Sequence, residues 1–598
     1  MKKHNLIITI LLVLCISIIL LILILLKKSK SLKVQLPFNI FKSPSHEKIL
    51  CFTGGGFTAI CAHTGMIKGI RYRKGDLRNI LKDCSIMGGN SGGSWFVSLL
   101  TYSKKYFDML DSSDKNYSNE EYRKYITQAC ESMENAQNNI KWKKYIEKLP
   151  SFLNDIKKIL YLSSKNWQEV VKEIVFDPIG DIDNRTISEN PNKLWYSVVW
   201  STAVSRYSLL NDTHAYSLSH PSCKTNINEK NNFLSSSEIQ TDLQNCGIAF
   251  PATFNWNLGE SKSDVNFYSG NDPIPDIKCG EYDRKSNLKN IKTFSINEKL
   301  TKPISEELKV TNIASCSGAA GAILSNLKSL DEILASYNLE FLFSFIAEEL
   351  SNSYKNKAIP IDLSGNNMKF TPNGGIENKD ICPGVFIRLF DGGYCDNTSI
   401  ASSIKTWQSK HNDMETCHII NFNDISNDKE FDTTMGYKKT NKDIINLFGT
   451  DSDKVVKRFS GVYTEKPVIF PEEDFSKGKC LWWGKHTSNA ISCIEDEECY
   501  AELSVNYYPT KTVENKSFGI KAGTKVNLFV IQTNTKKAPI FILPDTISDK
   551  TLINNYVKTA EAVTKLVENI DKDVLNAVMD PTIPVPTRDC GKHAINIS

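Results

Sequence analysis

The chain has little charge of one sign, no repeats and no metal-ligand spacing, and each shortage removes a class of function. Across 598 residues, 72 Lys and Arg stand against 68 Asp and Glu, a net charge of only +4. No dense basic stripe carries interleaved aromatics, so nucleic acid is not an expected partner. The 16 cysteines do not fall into the paired spacings of a zinc finger or ribbon, and no metal or other cofactor is expected. Histidine is scarce, at nine residues scattered along the chain. Without an internal repeat or a long heptad array, solenoids and coiled coils are excluded.

One long apolar run is present, at the N-terminus. Leu6 to Leu26 are apolar apart from Thr9 and Ser17, long enough as a helix to span a bilayer core of about 30 Å. A cleavable signal peptide has an apolar core of about 7 to 15 residues and then a small-residue cleavage site, whereas Lys27, Lys28, Ser29 and Lys30 follow here directly. We therefore expect residues 1–30 to be an uncleaved single-pass transmembrane anchor and residues 31–47 a short tether. Lys2 and Lys3 precede the run, and Lys27, Lys28, Lys30 and Lys33 follow it. That bias keeps the remainder cytosolic. Cysteine usage leans instead to the lumen or exterior, because Cys480, Cys493 and Cys499 lie in a Trp-rich stretch that reads as a disulfide-stapled loop.

Residues 48–545 carry the chemistry. Gly89, Asn90, Ser91, Gly92 and Gly93 form Gly-x-Ser-x-Gly between an apolar run and a helix-like run. This pattern predicts a sharp strand-to-helix turn with an exposed serine oxygen. Upstream, Lys48 to Phe52 reads as a short buried strand running into Thr53, Gly54, Gly55 and Gly56. Glycines there bare backbone N–H groups, and such donors aimed at an oxyanion are worth about 3 to 4 kcal/mol each. Far downstream, the strand-like Val385 to Phe390 ends in Asp391, Gly392 and Gly393, which puts a carboxylate at a strand end.

In these three segments, in this order, the chain resembles the patatin and cytosolic phospholipase A2 type of lipid acyl hydrolase. The family's oxyanion segment matches Gly54, Gly55 and Gly56, its elbow matches Gly89 to Trp95, and its Asp-Gly-Gly/Ala matches Asp391 to Gly393. Ile313 to Gly321 is similar to the family's small-residue helix start. The resemblance implies an α/β fold, a three-layer sandwich around a central, mostly parallel sheet, with a lid or cap inserted at about residues 110–300. It also implies a Ser-Asp dyad of Ser91 and Asp391, with Gly55 and Gly56 as the oxyanion hole and Gly54, Gly89, Gly93 and Gly392 in support. The substrate class implied is a lipid acyl ester. The cytosolic enzymes bring calcium through a separate membrane-binding domain, and nothing before Lys48 is long enough to be one. One departure stands out: the arginine that the cytosolic enzymes carry two residues after the third glycine, implied to hold the substrate phosphate, is Thr58 here. Arg71, Arg73 and Arg388 are the candidate replacements.

The residues also define a mechanism by themselves. Asp391 accepts the Ser91 hydroxyl proton, Ser91 attacks the ester carbonyl, and the acyl-serine is then hydrolysed. A carboxylate near its ordinary pKa of about 3.9 is a poor base, so burial must raise it. His63 and His418 are the histidines nearest the motifs and would be the members of any triad. Two other readings stand beside the hydrolase. Gly54 to Ala59 also fits Gly-x-Gly-x-x-Ala, with Asp76 near the spacing of a Rossmann oxidoreductase, though the residues around Asp76 read as a solvated turn. The other reading is a catalytically silent lipid-binding protein on the same fold.

Elsewhere, Trp195, Val198, Val199, Val204 and Leu209 suggest a helix with one apolar face, and Leu-rich stretches suggest helices at 329–352. Cys417 to Phe422 reads as a buried strand, while Trp482 and Trp483 fit either a membrane interface or local core. A hairpin is expected from Val526 to Ile531 and Pro539 to Leu543. From 546 to 598 the helical period between Leu552 and Val574 predicts a terminal helix packed on the core, then a tail.

Overall fold

The computed structural model describes residues 47–138, 167–205, 249–258, 309–318, 389–411, 415–425, 441–450, 463–487, 500–535 and 549–587, with the short segments 207–209, 214–218, 263–266, 274–283, 286–296, 301–303, 455–457, 590 and 595–597. The expected anchor, the tether up to residue 46, the helices at 329–352 and the 539–543 strand lie outside the described residues. Among the described residues no helix is long and apolar enough to cross a membrane.

Strand β1 (Lys48–Phe52) has all five residues buried. This near-continuous apolar run suits a strand covered on both faces, as parallel strands are. Glycines turn the chain from β1 into helix α1 (Gly56–Lys74), after which come β2 (Cys84–Asn90), α2 (Gly92–Tyr102), α3 (Lys104–Asp111) and α4 (Lys115–Asn138). Next are β3 (Ser197–Ser205), β4 (Ala249–Asn257), β5 (Ser263–Asn266), β6 (Thr301–Pro303), α5 (Val310–Ser317), β7 (Leu389–Asp391), α6 (Ile400–Gln408) and β8 (Cys417–Ile425). The last part holds α7 (Lys442–Phe448), β9 (Lys479–Thr487), β10 (Tyr500–Lys511), β11 (Lys525–Thr535), α8 (Asp549–Glu568), α9 (Lys572–Met579) and β12 (Ile595–Ile597).

Twelve strands form one mixed sheet in the order β6, β5, β4, β3, β2, β1, β8, β11, β10, β9, β12, with β7 added to β3. Its centre, from β3 through β2, β1 and β8 to β11, is entirely parallel; the flanks are antiparallel apart from the outermost pair, β9 with β12, which is parallel. Helices cover both faces. A Cβ on Gly88 would meet Ser399 of the segment leading into α6, whereas a Cβ on Gly89 would meet Ser94 of α2. Successive strand residues point to opposite faces, so α6 and α2 lie on opposite sides of the sheet. The fold is therefore α/β, with a parallel centre between helical layers.

Helix α1 is buried from Phe57 to Ile70, as a helix without a polar face must be. It lies between the sheet and α8. A Cβ on Gly65 would sit 2.6 Å from the Ala560 carbonyl oxygen, and one on Gly69 2.5 Å from Val567 Cβ, so only glycine lets α8 come this close. The terminal helix is thus present and packed, though it stops at Glu568 and a second helix, α9, carries Val574.

The structure corrects the expected helix, local disulfide and hairpin, and it decides between the two readings of Trp482. Ser197–Ser205 is a strand, not an amphipathic helix, and Trp195 before it is 73% exposed. The β-branched residues Val198, Val199 and Thr202 favour extended backbone, and a strand buried on both faces has no alternation to separate it from a helix. Trp482 lies in strand β9 and is 3% exposed, so it belongs to the core and not to a membrane interface. Cys480 of that strand pairs with Cys590, 110 residues away, instead of closing a local loop. Finally, β11 makes its hairpin with the preceding strand β10. Within the stretch expected to hold a cap, about 110–300, β3, β4 and β5 belong to the main sheet; Tyr207–Leu209, His214–Leu218, Ile274–Asp283 and Ser286–Ile296 form a separate four-stranded sheet.

Candidate active site

The parallel centre reverses its direction of winding at β1. The chain runs from β1 to β2 and β3 on one side and reaches β8 and β11 on the other. Loops leaving the carboxyl ends of strands diverge at such a point and leave a crevice. The segments after β1 and β2 both end there.

Ser91 joins β2 to α2 with φ 49° and ψ −126°, a conformation that costs a non-glycine residue on the order of 1 to 3 kcal/mol. Its neighbours make the turn possible. A Cβ on Gly92 would strike the Gly56 carbonyl, one on Gly93 would strike the carbonyls of Phe52 and Thr53, and one on Gly89 would lie 2.7 Å from the Ser94 nitrogen. The Ser91 carbonyl accepts from Ser94 and Trp95 N–H at 2.9 and 3.1 Å, and its N–H donates to the Ser317 carbonyl at 3.2 Å. The hydroxyl makes no capping bond. Backbone hydrogen bonds thus hold the residue from both sides and leave its Oγ available.

The glycine loop reaches the same point. A Cβ on Gly54 would lie 2.8 Å from Ser91 Cβ, so the loop passes directly over the serine. Gly55 and Gly56 have φ 149° and 61°, which turn the chain into α1. The Gly54 N–H donates to the Asn397 carbonyl at 3.0 Å and is not available to a substrate. Among the described residues no acceptor takes the N–H groups of Gly55 and Gly56.

Asp391 ends β7, which pairs antiparallel with Thr202, Ala203 and Val204 of β3. It is 1% exposed. Its Oδ1 accepts from Gly393 N–H at 2.8 Å and from Asn90 Nδ2 at 3.3 Å. Burial pushes its pKa up to about 6, against the opposing pull of the Gly393 N–H, the Ser91 hydroxyl and the Asn90 amide. The Ser91 hydroxyl is therefore near enough to stabilise the carboxylate, yet Oδ2 lacks a partner in full hydrogen-bonding geometry. A loose contact of this kind is common between nucleophile and base before substrate tightens it. Gly392 fits because a Cβ there would lie 2.5 Å from both Asn90 Oδ1 and the Ser201 carbonyl.

The structure thus brings together Gly54, Ser91, Asp391 and Gly392, with Gly89 and Gly93 packed beneath the turn. It does not bring in the histidines. His63 donates from Nε2 to the Thr53 carbonyl at 3.0 Å and His418 to the Val578 carbonyl at 2.7 Å, and burial lowers both to about 4. Arg71 is held by Asp111 and Arg73 by the Glu568 carbonyl, at the far end of α1, more than about 20 Å from the loop at 1.5 Å per residue. Neither replaces an arginine at position 58, where Thr58 is buried; Arg388 lies outside the described residues. Asp76 caps the short helix Leu77–Leu81 through Asn79 N–H at 2.9 Å. It therefore precedes β2 instead of following it, where a dinucleotide ribose would need it. Among the described residues no group of three or more His, Cys, Asp or Glu side chains is placed to hold a metal ion.

Two asparagines and a serine of the site carry no signal in the sequence. Asn90, the variable residue of the pentapeptide, bonds both Asp391 and Asn397, and Ser317 accepts the Ser91 N–H. Within the segment Ile313 to Gly321, Ile313–Ser317 closes α5 instead of opening a helix, and Trp95 Nε1 donates to its Ala314 carbonyl at 3.0 Å. No family model matches the chain, and no curated protein matches it either.

Proposed function

We propose that the chain is a serine hydrolase of lipid acyl esters, of the phospholipase or lysophospholipase kind, tethered to a membrane through Leu6 to Leu26. One observation carries the proposal: an uncapped serine in strained backbone beneath a glycine loop, beside a fully buried aspartate whose pKa lies near 6. A carboxylate with that pKa is ionised at neutral pH and is about two units more basic than an ordinary aspartate, which suits a general base. Asp391 takes the Ser91 proton as Oγ attacks the acyl carbonyl, and the N–H groups of Gly55 and Gly56 receive the oxyanion. Asp391 returns that proton to the departing oxygen, which leaves as the alcohol; the carboxylate then takes a proton from water as the water attacks the acyl carbonyl, and it gives that proton back to Ser91 Oγ as the fatty acid is released. A patatin-like architecture agrees with the α/β sheet and with helices on both faces. Transfer of the acyl group to another alcohol is a close variant of the same chemistry.

The test uses the full chain in detergent with a fluorophosphonate probe and a panel of phospholipids, lysophospholipids and neutral esters, beside Ser91→Ala and Asp391→Asn. Labelling at Ser91, with ester release lost in both variants, supports the dyad, and the panel then identifies the head group. Lipid binding without labelling or turnover would replace this reading with a silent lipid-binding protein.

A further inference from the structure

Resting on the hydrolase reading, we propose that Asn90 is a positioning residue which, together with Asn397, fixes Asp391 relative to the glycine loop. The geometry is specific. One amide nitrogen, Asn90 Nδ2, donates to Asp391 Oδ1 at 3.3 Å and to Asn397 Oδ1 at 2.9 Å. Both of its hydrogens are thereby used. Asn397 in turn donates from Nδ2 to Asp443 Oδ2 at 2.8 Å, and its backbone carbonyl accepts the Gly54 N–H at 3.0 Å. A single residue therefore touches the support of the base through its side chain and the start of the oxyanion segment through its backbone. A Cβ on Gly393 would lie 3.0 Å from Asn397 Oδ1 and 3.1 Å from Asn90 Nδ2, so the turn after Asp391 is pressed against the same pair. Asp396 anchors the loop below by accepting from the Thr398 and Ala401 N–H groups at 2.8 Å each.

This arrangement leaves Asp391 with two roles on two oxygens. Oδ1 is fixed by Gly393 and Asn90, while Oδ2, enclosed and without a full bond, is the atom free to take a proton. Apart from Asn90, the polar groups acting on the carboxyl are the Gly393 N–H and the Ser91 hydroxyl, and no charged side chain among the described residues acts on it. Of the acids in this network, Asp443 acts on Asp396. A donor to the charged form favours that form, so Asn90 keeps Asp391 ionised at a lower pH than burial alone would allow. In this picture the side chain at the variable position of the pentapeptide sets the acid limit of activity without touching the substrate.

The experiment compares pH profiles of probe labelling and ester release for the full chain, Asn90→Ala and the nearly isosteric Asn90→Asp. With the amide gone, the acid limb of kcat/KM moves upward by about one pH unit, and rates recover at high pH. Asn90→Asp places a second acid beside Asp391 and moves the limb further, because like charges disfavour ionisation. A purely structural role for Asn90 would lower the rate equally at every pH, and that result, or an Asn90→Asp limb no higher than wild type, overturns the inference. Wild type that neither labels nor turns over would instead overturn the hydrolase reading, and this inference with it.

Discussion

The two halves of the candidate site are built by opposite means. Ser91 is held by backbone: a positive φ, glycines that admit carbonyls within van der Waals distance, and N–H bonds on either side. Asp391 has a backbone of negative φ (−52°) and is perturbed by its surroundings, which exclude water and give it too few donors. Strain in the first half is a matter of conformation, and in the second a matter of charge. The first should therefore answer to changes in side-chain volume and φ, the second to pH and isosteric exchange.

The largest separation of the two is expected at Asp391. Asp391→Asn should lower ester release by on the order of 10² to 10⁴-fold, the usual scale of a general base. The same change should raise stability at neutral pH. A buried carboxyl with a raised pKa stabilises the fold fully below its ordinary value of 3.8, and that contribution is lost as pH climbs to about 6. Asparagine has no proton to lose, so the variant should gain about 1 to 3 kcal/mol above pH 6 and nothing near pH 3. Equal unfolding midpoints at pH 7 would show that charge burial is not what perturbs the base.

Next in size is Gly54→Ala, which forces a methyl group against Ser91 Cβ and Asn397 Oδ1. Overpacking of this kind costs about 1 to 3 kcal/mol, measurable by denaturant, and probe labelling should fall with it at every pH. Unchanged labelling would mean that the loop yields easily. Smaller still, Ser91→Gly should be more stable than Ser91→Ala by about 1 kcal/mol, because only glycine adopts φ 49° without strain. Both are inactive, so calorimetry isolates the backbone term. The smallest effect belongs to Trp95→Phe, which removes the bond to the Ala314 carbonyl. A loss of about 1 kcal/mol in stability with an unmoved pH profile would confine that residue to the scaffold.

The same contrast explains what was legible in the sequence. β1, β2 and the turn between β2 and α2 could be read because their signals are local: a buried apolar run, a glycine on each side of a serine, a helical period after it. The surroundings of Asp391 could not, since Asn90 meets it across 301 residues and Asn397 meets Asp443 across 46. No short window carries such pairs. β3 has no such signal, because Val198 and Val199 sit in a strand covered on both faces, where the period of two is lost. Cys480 was joined in expectation to the cysteines close by, yet a disulfide partner is chosen by distance in space, and Cys590 follows the whole terminal helix pair.

The place of β1 in the middle of the sheet has a consequence for synthesis. Leu50 pairs with Met87 on one side almost at once, but its other neighbour, Ile420, is made 370 residues later, roughly 20 to 70 s at ribosomal rates. Through that interval β1 has one open edge and Ser91 lacks Asp391, so the second half of the chain has to arrive before the sheet and the candidate site can close.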